Sequence, residues 1–188
     1  IPPAPSSRYT GGMDDQVERV LITEQQIQAR VRELAQQITT DHAAFSEVMI
    51  IPILTGAMIF CADLIRHIPI AMRIGLMTVS SYPGQATQTQ GSRLVGEQLG
   101  DIEGRHVVLV DDILDSGGTL ELVLPMLQKR NPASLKVCVL LRKDRPTARR
   151  VQADYVGFDI PDEFVVGYGL DYDDYYRNLP QIVTLRKG

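Results

Sequence analysis

A chain of 188 residues is long enough to bury one sizeable core and is most simply read as one domain. Hydrophobic residues at 44% and charged residues at 22% are ordinary for a soluble globular protein, and a formal net charge of -4 argues against a broad nucleic-acid surface. No apolar run approaches the length of a membrane span and no secretory signal pattern opens the chain. Cys61 and Cys138 lie in apolar segments without metal-ligand spacing, so two buried, reduced thiols in a cytoplasmic protein are expected. His42, His67 and His106 are scattered and compose neither a zinc set nor a triad.

In chain order, residues 1–13, with Pro2, Pro3 and Pro5 among small polar residues, read as a mobile tail before a single domain spanning 14–188. Val17 to Ile22 reads as a short strand. Thr23-Glu24-Gln25-Gln26 fits a capping box, and Ile27, Val31, Leu34 and Ile38 repeat at helical spacing behind it. Val48 to Leu54 reads as a buried strand, with Pro52 awkward inside it. Thr55-Gly56 closes that strand ahead of a helix over Ala57 to Ile65, which makes a second candidate anion site. Ile70 to Ser81 reads as one strand. The polar stretch that follows has no periodicity, and the segment 82–92 is expected to be a flexible lid over a site that must exclude water.

The run Val107-Val108-Leu109-Val110-Asp111-Asp112-Ile113-Leu114-Asp115-Ser116-Gly117-Gly118-Thr119 carries the chemistry. Its mostly β-branched apolar start reads as a strand buried on both faces, breaking into carboxylates, hydroxyls and a Gly-Gly pair just before a helical pattern. Ligands of open α/β sheets sit beyond such strand ends. Gly117 and Gly118 let successive N–H groups converge on an anion, and the following helix start adds more, so Ser116 to Thr119 form a phosphate cradle. No Gly-x-x-x-x-Gly-Lys-Ser/Thr string occurs, which excludes a P-loop. The carboxylates upstream suit sugar hydroxyls and Mg²⁺. Phosphate, diol and metal together indicate a phosphorylated sugar.

Beyond the loop, Leu120, Val123, Leu124 and Leu127 repeat at helical spacing, with Pro125 expected to kink or shorten that helix. Leu135 to Leu141 reads as the next buried strand, ending at Arg142-Lys143. Of the basic cluster Arg142, Lys143, Arg145, Arg149 and Arg150, most members are expected on a solvated face. Lys143 is set apart by its place at a strand's carboxyl end. Gly167-Tyr168-Gly169 lacks the helix pattern of a dinucleotide fingerprint. The alternation of strands and helices predicts an α/β fold, a mostly parallel sheet flanked by helices.

From about Val17 to the C-terminus the chain resembles the hypoxanthine-guanine phosphoribosyltransferases, the 6-oxopurine branch of the type I phosphoribosyltransferases. The resemblance is carried by the loop above, which matches their motif for phosphoribosyl pyrophosphate (PRPP), by Ser81-Tyr82, by Leu140-Leu141-Arg142-Lys143, and by the run Phe158 to Tyr172. It implies the type I fold with a small hood built from N- and C-terminal segments, and assembly into homodimers or homotetramers. It implies that Asp111 and Asp112 hold the ribose hydroxyls and Mg²⁺, and that Asp115 to Thr119 wrap the 5′-phosphate. Asp115 is implied as general base near N7 of the purine. Lys143 would donate to the 6-oxo group, Phe164 would stack on the base, and the Val165 backbone would read its 2-position edge. Asp171 would bind a second Mg²⁺, Arg177 would meet the pyrophosphate with Thr55 and Gly56, and Ser81-Tyr82 would open the lid.

Two features depart from the family pattern. Thr55 stands where a basic residue is often found, leaving one fixed charge fewer for pyrophosphate, and Asp111 stands where glutamate is common, a shorter reach with the same chemistry. The implied activity is purine salvage with PRPP and a 6-oxopurine as small-molecule substrates. The alternatives are a xanthine-preferring enzyme and a PRPP- or nucleotide-sensing regulator that binds nucleic acid through the basic cluster.

Overall fold

The computed structural model describes residues 16–81 and 92–186. Thr23 caps α1 (Glu24–Asp41) reciprocally. The Gln26 backbone N–H donates to the Thr23 hydroxyl at 3.3 Å, and the Thr23 N–H donates to the Gln26 side-chain oxygen at 2.9 Å. The apolar stripe of Ile27, Val31, Leu34 and Ile38 is buried, with Ala35 beside it.

Strands β2 (Val48–Leu54), β4 (Leu76–Ser81), β5 (Ser92–Gln98), β6 (His106–Leu114), β7 (Ser134–Lys143) and β8 (Tyr155–Ile160) form a sheet in the order β5-β4-β2-β6-β7-β8, with short β3 (Met72–Ile74) also on β2. Every pairing among them is parallel except β4 with β5. Alternate residues serve opposite faces. Val48, Ile50, Val108 and Val110 pack with α1 and with α2 (Met58–Ile65), whereas Met49, Ile51, Val107 and Leu109 pack with α3 (Gly118–Gln128). Helices therefore cover both faces, and the central strands read as unbroken apolar runs. Cys61 and Cys138 are buried in the first of these cores as free thiols, and burial pushes the Cys61 thiol up to about 12.

The hood is a separate antiparallel sheet of β1 (Val17–Ile22), β10 (Ile182–Leu185) and β9 (Val165–Val166), in the order β1-β10-β9. It joins the two ends of the described chain.

Two local expectations need correction, and two awkward prolines find their explanation. Ile70 to Ser81 is two strands rather than one, interrupted at Gly75, whose N–H donates to the Ile50 carbonyl at 2.9 Å. That interruption accommodates Pro52. The Ile50 carbonyl faces this side of β2, so the N of Pro52, two residues on, faces the gap between β3 and β4, where no ladder donor is needed. Pro125 sits inside α3, which ends one turn on at Gln128; Pro125 and Glu121 one turn earlier are both exposed, so water can satisfy the carbonyl left without a donor. Finally, β6 does not break at Asp111. Asp111 pairs with Val139 and Leu114 with Arg142, so both acids lie within the strand and the loop begins at Asp115.

Strand β5 was not legible beforehand, since its residues are mostly exposed and carry little apolar signal. Ser81 and Ser92 pair as the last partners of β4 and β5. Tyr82 and the rest of the expected lid through Gly91 lie outside the described residues, as does the expected tail 1–13.

Candidate active site

The carboxyl ends of β2, β4 and β6 open into a cleft of about 940 Å³. It is lined by Thr55 and Gly56 after β2, Thr78 to Ser80 of β4, Asp111 to Leu120, and Asp171, Asp174 and Arg177 from the chain leading to β10, with Arg145 beside them. Eleven of the expected site residues thus meet around one space: Thr55, Gly56, Asp111, Asp112, Asp115, Ser116, Gly117, Gly118, Thr119, Asp171 and Arg177.

The floor is the end of β6. Asp111 is 5% exposed. Its Oδ1 accepts the Asp112 N–H at 3.1 Å, and Asp112 Oδ1 accepts the Ile113 N–H at 2.9 Å. Burial raises both carboxyls above the usual carboxylate range. For Asp111 the neighbouring Asp112 charge adds to the rise, while for Asp112 the nearby Arg177 charge opposes it. Two desolvated acids side by side call for hydroxyl donors or a cation.

The cradle follows directly. Gly117 takes a left-handed conformation (φ 89°) as the N-cap of α3, and no side chain caps the helix. The Gly118 N–H makes only a long contact of 3.4 Å to the Ser116 hydroxyl. Uncapped N–H groups at the start of an 11-residue helix, with Ser116 and Thr119 hydroxyls beside them, suit a tetrahedral anion.

Thr55-Gly56 is held against this floor, and the Leu54-Thr55 peptide is cis. A Cβ on Gly56 would lie 1.9 Å from Asp112 Oδ2, and a Cβ on Gly169 (φ 104°) would lie 2.2 Å from the Gly56 carbonyl oxygen. At Gly169 the obstruction is backbone, so that position must lack a side chain; at Gly56 it is the Asp112 carboxylate, which would have to turn aside. The neighbouring Tyr168 hydroxyl donates to Asp63 of α2 at 2.6 Å, tying the same segment to the core. Arg177 donates to the Gly169 carbonyl at 2.8 Å and pairs with Asp171 and Asp174 at 2.9 Å each.

At the side of the cleft stands a ring of charges. Lys143, 6% exposed, donates to Asp115 Oδ2 at 2.9 Å. Arg145 donates to Asp115 Oδ1 at 2.6 Å and pairs with Asp162 at 2.5 Å. The expected solvated face of the basic cluster is thus corrected for Arg145, which lines the cleft. Its signal was hidden because its partners lie 30 and 17 residues away. Arg142 does face outward and pairs with Asp159 at 2.7 Å. Gly169 and Asp174 were also missed; neither belongs to a local pattern that marks a site.

Phe164 and Val165 are not on the walls of this cleft. Val165 is buried in β9, and Phe164 is 56% exposed, edge-on to Tyr172 with ring centroids 5.6 Å apart. Both sit where the hood begins, three residues or fewer beyond Asp162.

Residues 21–173 match the phosphoribosyl transferase domain. The chain is 46% identical over 175 residues to a hypoxanthine-guanine phosphoribosyltransferase of Mycobacterium tuberculosis, covering 90% of this chain and 86% of that protein. It belongs to the hypoxanthine-guanine phosphoribosyltransferase family. A Bacillus subtilis protein of the same name is 41% identical over 93% of this chain and 96% of its own length. Among solved structures, a hypoxanthine-guanine phosphoribosyltransferase from Bacillus anthracis superposes with a TM-score of 0.82 at 42% identity, covering 91% of this chain and all (100%) of that one. A hypoxanthine phosphoribosyltransferase from Staphylococcus aureus gives 0.85 at 40% identity, over 93% and 94% of the two chains. The type I fold and its hood are those expected of a hypoxanthine-guanine phosphoribosyltransferase. Among the described residues no helix is long and apolar enough to cross a membrane.

Proposed function

We propose that this chain transfers the phosphoribosyl group of PRPP to N9 of hypoxanthine or guanine, releasing pyrophosphate and the nucleoside monophosphate. The observation that carries the reading is the convergence of a buried acid pair, an uncapped helix start, the Thr55-Gly56 loop and Arg177 on one cleft, with a Lys143–Asp115 pair at its side. Asp111 and Asp112 take the ribose 2′- and 3′-hydroxyls, whose donation offsets the burial of the two acids. The N–H groups and hydroxyls from Ser116 to Thr119 take the 5′-phosphate. Thr55, Gly56 and Arg177 take the pyrophosphate.

The donor set fits Mg²⁺. Asp111 and Asp112 supply hard carboxylate oxygens side by side at the floor of the cleft, the donor type Mg²⁺ prefers. Asp111 and Asp112, directly or through water, would hold one ion and Asp171 a second. When bound, the metal neutralises charge developing on the leaving pyrophosphate. The chain's own groups do the rest. They hold base and sugar in line for attack. Lys143 turns from Asp115 to the 6-oxo group, Phe164 covers the base, and the Val165 backbone reads its 2-position edge. Asp115 Oδ2, released by Lys143, faces the imidazole ring and takes its proton, help worth roughly 10²–10⁴-fold in rate. The ribose passes through an oxocarbenium-like state, which the site must shield from water.

The nucleic-acid-binding alternative loses ground because Arg142 and Arg145 are committed to carboxylates. The test is to offer hypoxanthine, guanine, xanthine, adenine and orotate singly with PRPP and Mg²⁺ and to measure pyrophosphate release. Release with hypoxanthine or guanine alone supports the reading. Release with xanthine in preference, or with no 6-oxopurine, overturns it.

A further inference from the structure

We propose that Arg145 is a positioning residue for the transfer: it holds Asp115 charge-matched and aimed when Lys143 leaves it for the incoming base. The inference rests on the reaction proposed above and assigns a part to a residue outside the expected site.

Four side chains from three segments form the ring. Lys143 ends β7 and Arg145 lies two residues beyond it, Asp115 opens the loop after β6, and Asp162 precedes the hood. Lys143 is 2.9 Å from Asp115 and 3.8 Å from Asp162; Arg145 is 2.6 Å from Asp115 and 2.5 Å from Asp162. The two cations hold different oxygens of Asp115, Lys143 on Oδ2 and Arg145 on Oδ1. They also differ in exposure. The Lys143 side chain is 7% exposed, whereas that of Arg145 is 37% exposed. A base entering the cleft draws on the buried ammonium and leaves the guanidinium in place.

That division has a consequence for the energetics of base binding. While Arg145 stays on Oδ1, the departure of Lys143 frees Oδ2 without stranding a carboxylate, and the guanidinium, bridging Asp115 through Nη1 and Asp162 through Nη2, ties the group left behind to a second acid. Without Arg145, Lys143 is the remaining cation paired with both acids among the described residues. Drawing it away then leaves Asp115 and Asp162 uncompensated, and Asp115 is free to turn. The cost falls on binding the base and on the proton transfer, not on PRPP.

The experiment is steady-state kinetics of the full chain with Mg²⁺, varying hypoxanthine and PRPP separately. For Arg145→Gln, the KM for hypoxanthine should rise and kcat fall, each about three- to tenfold, the effect of a charge-assisted contact discounted for partial exposure. The KM for PRPP should stay within about twofold. Arg145→Lys should recover most of the loss. Arg142→Gln, which breaks an outward pair with Asp159, should match the unaltered chain. An active parent with an Arg145→Gln variant of equal kinetics overturns the proposal. So does a loss confined to the KM for PRPP, which would make Arg145 a phosphate ligand, or an equal loss in the Gln and Lys variants accompanied by a lower Tm. A parent chain inactive with every 6-oxopurine instead removes the reaction itself, and this role with it.

Discussion

The floor and the mouth of the cleft are built on opposite principles. The floor, Asp111 to Thr119, is one contiguous stretch, fixed by parallel strand pairing on β6 and by the first turn of α3. Its functional groups are backbone N–H donors and buried carboxylates. The mouth is assembled from side chains far apart in the chain: Arg145 with Asp115 and Asp162, and Arg177 with Asp171 and Asp174. These pairs are partly exposed, so solvent and salt weaken each of them. The difference implies that the floor tolerates almost no change, whereas the mouth can be altered pair by pair with graded effects.

Asp115 belongs to both regions, so its loss should be the most severe. Asp115→Asn is expected to lower kcat by about 10²–10⁴-fold while the KM for PRPP changes far less. A variant with unchanged turnover would remove Asp115 from the chemistry.

Glycines that let the floor meet the hood come next. Gly169→Ala places a methyl 2.2 Å from the Gly56 carbonyl at a φ of 104°. Strain of this kind costs about 1–3 kcal/mol, so thermal unfolding should show a clear fall in Tm, and pyrophosphate release should drop because the Thr55-Gly56 loop is displaced. Equal Tm and activity would show that the close packing of hood on loop is not required.

The buried acid pair should trade stability for function. Folding raises the Asp111 carboxyl above its unfolded value, chiefly through burial and then through Asp112. Below the unfolded value both states are protonated and nothing is lost. As pH rises toward and through the folded value, the unfolded state gives up its proton more readily, so stability falls and stays lower above it. Asp111→Asn removes that loss. Its Tm at neutral pH should rise by about 2–4 °C, the shift that about 1 kcal/mol produces in a chain of this size, while affinity for PRPP falls. A lower Tm across the pH range would show that the carboxylate is stabilised where it sits.

The smallest effect belongs to the outer edge of the hood. Arg19→Gln breaks an exposed pair with Glu163 beside Phe164 and should cost about 0.2–1 kcal/mol, shrinking further at high salt. A loss as large as that at Gly169 would mean that the hood's exposed edge is held as rigidly as the floor.

The same contrast governs what could be read before the fold was known. The capping box at Thr23, the stripe of α1 and the apolar runs of β2, β6 and β7 obey local periodicities, and they lie where those periodicities put them. Strand β5 escaped because an exposed edge strand lacks an apolar face. The split at Gly75 escaped because it depends on which neighbour each half finds along β2.

By itself the sequence determined the core strands β2, β6 and β7, the helices that cover them and the acid–glycine loop, because each is encoded by neighbours within about one turn or one strand. Only the tertiary structure decided that Arg145 turns inward, that Gly56 and Gly169 touch, and that Asp111 and Asp112 lie inside a strand rather than after it. A charge finds its partner, and a glycine its necessity, through contacts across tens or over a hundred residues, and no local pattern records them.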